Sequence, residues 1–205
     1  MKISLLDYGA GNLPSVERAF QRLGVESERI STSDGVAKAS ALVLPGVGHY
    51  GALIRALDRD GLRESLTGAI ERGVPFLGIC LGLQALFQKS DEATDLKGLE
   101  ILPGSVRVMS GAVKLPHMGW DQVQSKVGSR LLEGIDTAAY FYFAHSFAVP
   151  YRGDDPPLET RATCSYGGEF VAVAEKENIS AVQFHPEKSG DAGQRVLENF
   201  LRIAA

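Results

Sequence analysis

The sequence predicts an α/β fold: a central, mostly parallel sheet flanked by helices, with added antiparallel strands, laid out as one domain over residues 1–205. Three observations point there. The first half alternates short apolar runs with amphipathic segments, the pattern of a parallel sheet covered by helices. The second half carries short β-type runs punctuated by Gly and Asp-Pro turns. The whole, 205 residues with 44% hydrophobic and 22% charged side chains, has the composition of a globular chain able to bury a sizeable core.

Each element follows in order. Residues 2–7 read as a buried strand, because Ile3, Leu5 and Leu6 meet Asp7 too soon to form the core of a signal peptide. A Gly-rich loop, Tyr8-Gly9-Ala10-Gly11-Asn12, leads to a helix that Asn12 is placed to cap and that carries Pro14 in its first turn, where a missing N–H costs nothing. Gly24 ends it. Residues 41–44 form a second strand, stopped by Pro45-Gly46-Val47-Gly48, and residues 50–73 alternate apolar and charged positions at helical spacing. Residues 75–80 are a third strand, after which Leu81, Leu83, Leu86 and Phe87 define the apolar face of a helix. Further strands are expected at 106–109, 140–149, 161–164, 170–175 and 181–185, with Asp154-Asp155-Pro156-Pro157 as a surface loop.

Charge and residue usage exclude several classes. Twenty-one Lys and Arg against 25 Asp and Glu give a net charge of −4, which argues against nucleic acid or an anionic membrane as partner. The longest uncharged stretches, 39–54 and 73–88, fall short of the roughly 20 apolar residues of a bilayer span. Cys80 and Cys164 stand far apart, and His49, His117, His145 and His185 form no ligand pair. A reducing, cytoplasmic setting is therefore expected, with no disulfide and no structural metal.

Chemistry concentrates at Gly78-Ile79-Cys80-Leu81-Gly82, a strand that turns within one residue into a helix with Gly on both sides of the cysteine. This is the pattern of a nucleophile elbow: the tight turn leaves no room for side chains at the flanking positions and projects Cys80 from the sheet edge. A small buried cysteine is the plainer reading of any one thiol, and Cys164, which lacks flanking glycines, gets it. A thiol nucleophile needs a base and a group that orients the base. His185 and Glu187 in His185-Pro186-Glu187 supply both if the chain stays extended, since Pro186 ends the ladder at an edge facing a cleft. The N–H of Leu81 and one from the Pro45-Gly46-Val47-Gly48 loop, that of Val47, would form an oxyanion hole. The Gly46 and Gly48 flanks would let the Val47 peptide rotate between resting and active states. Gly9-x-Gly11, with Glu26 and Glu28 downstream, starts like a dinucleotide fingerprint, but Pro14 stands at its third glycine position and NAD is rejected.

These motifs resemble those of the triad-type glutamine amidotransferases over nearly the whole chain. The segments Gly78 to Gln84 and His185-Pro186-Glu187 are common to that family, whose fold is flavodoxin-like. Asp7-Tyr8-Gly9-x-Gly11-Asn12, Pro45-Gly46-Val47-Gly48, Pro116-His117-Met118-Gly119-Trp120 and Glu187-Lys188-Ser189 are similar to the glutaminase subunits of imidazole glycerol phosphate synthase in histidine biosynthesis. The resemblance implies glutamine hydrolysis by Cys80, His185 and Glu187, with no cofactor needed. It implies substrate contacts at Gly48, Gln84, Ser146 and Phe147, and a (β/α)₈-barrel cyclase partner that receives the ammonia in a heterodimer. It places Asn12, Trp120, Tyr142 and Lys188 at the partner interface and ammonia exit. Asp121 departs from the Asn expected after the Trp, which leaves its part at the interface open. Two other readings are a glutaminase subunit serving anthranilate synthase and a noncatalytic redox sensor built on Cys80.

Overall fold

The computed structural model describes residues 2–10, 12–126, 128–151 and 160–205, so residues 154–157 lie outside the described residues. The first half runs β1 (Ile3–Leu6), α1 (Leu13–Arg22), β2 (Ser27–Ile30), α2 (Ser33–Lys38), β3 (Leu42–Gly46), α3 (Tyr50–Arg59), α4 (Leu62–Glu71), β4 (Phe76–Cys80) and the one-turn α5 (Leu81–Gln84). The second half runs β5 (Lys89–Ser90), β6 (Ser105–Val108), β7 (His117–Gln122), β8 (Gln124–Ser125), β9 (Tyr140–His145) and β10 (Phe147–Ala148), then β11 (Thr160–Ser165), β12 (Glu169–Lys176), β13 (Ile179–Val182), a 3₁₀ turn (Pro186–Lys188) and α6 (Gly190–Ile203).

Eight strands form the main sheet in the order β2-β1-β3-β4-β13-β12-β11-β8. The first five are parallel and follow the flavodoxin-like order, with β13 as fifth strand, while β12, β11 and β8 add on antiparallel. This bears out the predicted α/β class. Both faces are covered, so successive residues of β3 feed opposite cores: Leu42 and Leu44 pack with α3 and α4, Val43 with α1 and α6. A ribbon of β7 and β9 and a small sheet of β10, β6 and β5 stand beside the main sheet. Among the described residues no helix is long and apolar enough to cross a membrane.

Several expectations change. The helical pattern over 50–73 is two helices, broken where Gly61 takes φ +63°. The helix after Cys80 stops after one turn, because the Ala85 and Leu86 carbonyls that would carry it on accept instead from the N–H groups of Leu99, Ile101 and Leu102. Residues 140–149 form two strands separated at Ser146, and the last strand ends at Val182, before His185. Asn12 precedes α1 but makes no side-chain cap; its carbonyl receives the Ser15 and Val16 N–H groups.

Candidate active site

The elbow is built as its glycines require. Cys80 has φ 56° and ψ −104°, a region side chains rarely occupy. A Cβ on Gly78 would lie 2.6 Å from the Gly82 carbonyl oxygen, one on Gly82 1.9 Å from that of Leu44, and one on Gly46 2.5 Å from Leu81 Cβ. Gly46 is thus a close-packing glycine inside β3, opposite Cys80 in the ladder, and not half of a hinge. Gly48, with φ +94°, does hold the left-handed conformation.

The partner of Cys80 arrives from β13, whose Val182 lies opposite Ile79. Beyond it the His185 N–H donates to the Tyr142 carbonyl at 2.8 Å. The buried Ser189 hydroxyl locks the arrangement, donating to the His185 carbonyl (2.7 Å) and accepting from the Tyr142 N–H (3.0 Å). The chain then curls into the 3₁₀ turn, and this turn, not an extended strand, sets Glu187 Oε1 2.8 Å from His185 Nδ1. Both side chains are almost fully buried, at 3% and 2% exposure. Burial alone would depress the imidazole pKa; the adjacent Cys80 sulphur and then Glu187 overcome it and raise His185 to about 10. With Nδ1 committed to Glu187, Nε2 is the nitrogen left for the sulphur.

A cavity of about 510 Å³ opens on this pair. Its wall brings together Asn12, Val47, Gly48, Cys80, Leu81, Gln84, Ser146, Phe147, His185 and Lys188, residues the sequence nominated from five separate segments. Glu187 stands behind His185, away from the lining. The Ser146 and Phe147 carbonyls are committed within the protein, the first to the Met109 N–H and the second to Gln84 Nε2 and His145 Nδ1. Leu81 opens α5 beside the sulphur. The buried Tyr8 hydroxyl has no hydrogen-bond partner among the described residues, and burial pushes its pKa up to about 12.

Trp120 and Tyr142 lie outside the cavity, facing each other across the β7–β9 ladder with ring centroids 5.9 Å apart. Lys188 Nζ stands 5.3 Å from the Tyr142 ring centroid, joining this pair to the cavity wall. Trp120 is 54% exposed. Asp121, the next residue along the strand, turns to the other face and approaches His117 Nε2 (3.5 Å) and the Cys164 sulphur. Cys164 is buried, and burial pushes its thiol up to about 12. Sequence reasoning missed Ser189 as the lock, and it missed Glu92, the one carboxylate of the cavity lining among the described residues, whose Oε2 accepts from the Tyr50 N–H at 2.7 Å. No local signal marked Glu92, an acid in a polar loop.

A cysteine elbow on a flavodoxin-like sheet, backed by a buried His-Glu pair, defines a class of thiol-dependent amide-cleaving enzymes. The chain belongs to the class-I glutamine amidotransferase family, whose profile matches residues 4–204. It is similar to the imidazole glycerol phosphate synthase subunit HisH of Methanothermobacter thermautotrophicus, 46% identical over 201 residues and 98% of each chain. The subunit of the same name from Aquifex aeolicus is 43% identical over 205 residues, 100% of this chain and 98% of that one. The chloroplastic imidazole glycerol phosphate synthase hisHF of Arabidopsis thaliana is 41% identical over 97% of this chain, which spans 34% of that longer protein. Among solved structures, a glutamine amidotransferase (TM-score 0.77, 19% identity, 98% of each chain) and PurLQS from Thermotoga maritima (0.75, 19%, 98% of this chain and 97% of that one) show the same fold.

Proposed function

We propose that this chain is the glutaminase subunit of imidazole glycerol phosphate synthase in histidine biosynthesis. It hydrolyses glutamine to glutamate and ammonia, and passes the ammonia to a (β/α)₈-barrel cyclase bound as a heterodimer, in the reducing cytoplasm that a free thiol nucleophile needs. The observation that carries this reading is the buried Cys80, His185 and Glu187 array at one sheet edge, opening on a cavity with a single carboxylate. Glu92 suits the α-ammonium of an amino acid.

Cys80 Sγ attacks the side-chain amide carbon, and the oxyanion rests on the Leu81 N–H and, once turned to the cavity, that of Val47. His185 Nε2 gives its proton to the departing nitrogen as the C–N bond breaks, leaving a thioester and ammonia. Water, deprotonated by the same nitrogen, then attacks the thioester; glutamate leaves and the proton returns to the sulphur. Lys188, Tyr142 and Trp120 mark the side toward which ammonia leaves.

Cys80→Ser is expected to abolish glutamine-dependent synthesis by the complex and to spare ammonia-dependent synthesis, because the cyclase needs ammonia from any source. Equal loss of both would overturn the reading. Rescue of a histidine auxotroph, without rescue of a tryptophan auxotroph, separates it from service to anthranilate synthase.

A further inference from the structure

Gln183 lies between β13 and His185 and is wholly buried. Its Nε2 stands 3.5 Å from Cys80 Sγ, and its Oε1 is 3.1 Å from Gln84 Nε2. The direction of this chain of bonds is forced. Gln84 Nε2 also reaches the Phe147 carbonyl at 2.8 Å, and a carbonyl only accepts, so that end of Gln84 is its NH₂ group. The Gln183 atom facing Gln84 must then be oxygen, which turns the Gln183 NH₂ toward the sulphur. All of Gln84's donors are thereby used, and its Oε1 is left unpartnered at the cavity wall.

We infer that Gln183 is a positioning residue of the glutaminase reaction: it donates an N–H to the Cys80 sulphur, holds it toward the cavity, and links it to Gln84. An N–H bond to sulphur favours the thiolate over the thiol, and in a buried site few waters compete for the role. The same chain gives substrate binding a route to the nucleophile. A substrate held against Gln84, which lines the cavity, polarises its amide and changes its bond to Gln183, and through that the bond to sulphur. The inference rests on Cys80 being the nucleophile proposed above.

Two variants of the full-length chain test it, both in a Cys164→Ala background so that one thiol reports. Gln183→Glu keeps the shape and the acceptor for Gln84 but presents no N–H to sulphur, and Gln183→Met removes both. The rate of Cys80 alkylation by iodoacetamide is followed against pH, with thermal melting as a check on folding. The midpoint is expected to move up by about one pH unit or more in each variant. In the complex, kcat for glutamine should fall about tenfold while KM changes less, as expected when the lost contact serves the reacting sulphur. An unshifted midpoint in Gln183→Met overturns the inference, even if turnover falls, because turnover alone would report only altered packing. Cys80→Ser separates the two claims. If it still hydrolyses glutamine, the nucleophile is wrong; if it is dead while both Gln183 variants titrate like the parent, only the role of Gln183 fails.

Discussion

Cys80 holds a left-handed backbone conformation that its neighbours impose, so the residues beside it matter as much as the thiol. Gly82→Ala would drive a methyl to within 1.9 Å of the Leu44 carbonyl oxygen, backbone against backbone with no flexible side chain to yield. A loss of at least about 3 kcal/mol is expected, read as the urea midpoint, together with loss of glutaminase activity. His145 gives a different test. Burial, with His117 and His185 nearby, lowers its pKa to about 3. The unfolded chain therefore takes up a proton near pH 6.5 that the folded chain refuses, and stability present above 6.5 drains away as the pH falls toward 3. Between pH 7 and pH 4 the parent should lose more stability than His145→Asn, as measured by urea titration at both pH values; equal losses would show that another group governs acid unfolding. The raised pKa of His185 acts in the opposite sense, its contribution present below 6.5 and fading as the pH climbs toward 10.

At the scale of elements, what could be read from sequence is what local rules govern. The elbow was visible because tight packing writes glycines two positions either side of Cys80, and β1 and β4 because buried parallel strands are mostly apolar on both faces. β2, with the sequence Ser-Glu-Arg-Ile, escaped notice: it is an edge strand whose side chains stay partly exposed, and its ladder with β1 is decided by tertiary pairing. α6 begins Gly-Asp-Ala-Gly, with two glycines in its first turn, and its amphipathic face is fixed by packing on α1 and β9. The His-Glu contact was expected for the wrong reason, since a 3₁₀ turn and not an extended chain brings the two together. The β7–β9 ribbon was read only as motifs, yet its pairing is what sets exposed Trp120 beside Tyr142. Trp120→Ala is expected to weaken cyclase binding by about 2 kcal/mol, roughly thirtyfold in Kd, without lowering the melting temperature of the free subunit. Calorimetric titration and melting curves check the two halves, and a destabilised subunit with unchanged affinity would mark Trp120 as core.

For the whole molecule, the cavity joins the ends of β3 and β4 to the segments after β9 and β13, which would give the proposed docking at the ribbon a route to the loop after β3. Val47 lines the cavity, and its N–H is the donor that cyclase binding would turn toward the substrate under the proposed mechanism. The cyclase, loaded with an unreactive substrate analogue, is expected to raise glutaminase kcat by about 10² to 10³, the usual worth of one oxyanion donor, with KM changed less. A free subunit already at full rate would mean that the loop is preformed. The strand order carries one more consequence. β13 pairs directly with β4, yet Gln183 stands 103 residues beyond Cys80 along the chain. During synthesis the proposed nucleophile therefore leaves the ribosome long before the proposed base, and the slot beside β4 stays unfilled until β13 closes a long loop. Under the roles proposed for Cys80 and His185, a nascent chain halted before β13 carries an elbow with nothing to activate it, and glutamine is safe from such a copy.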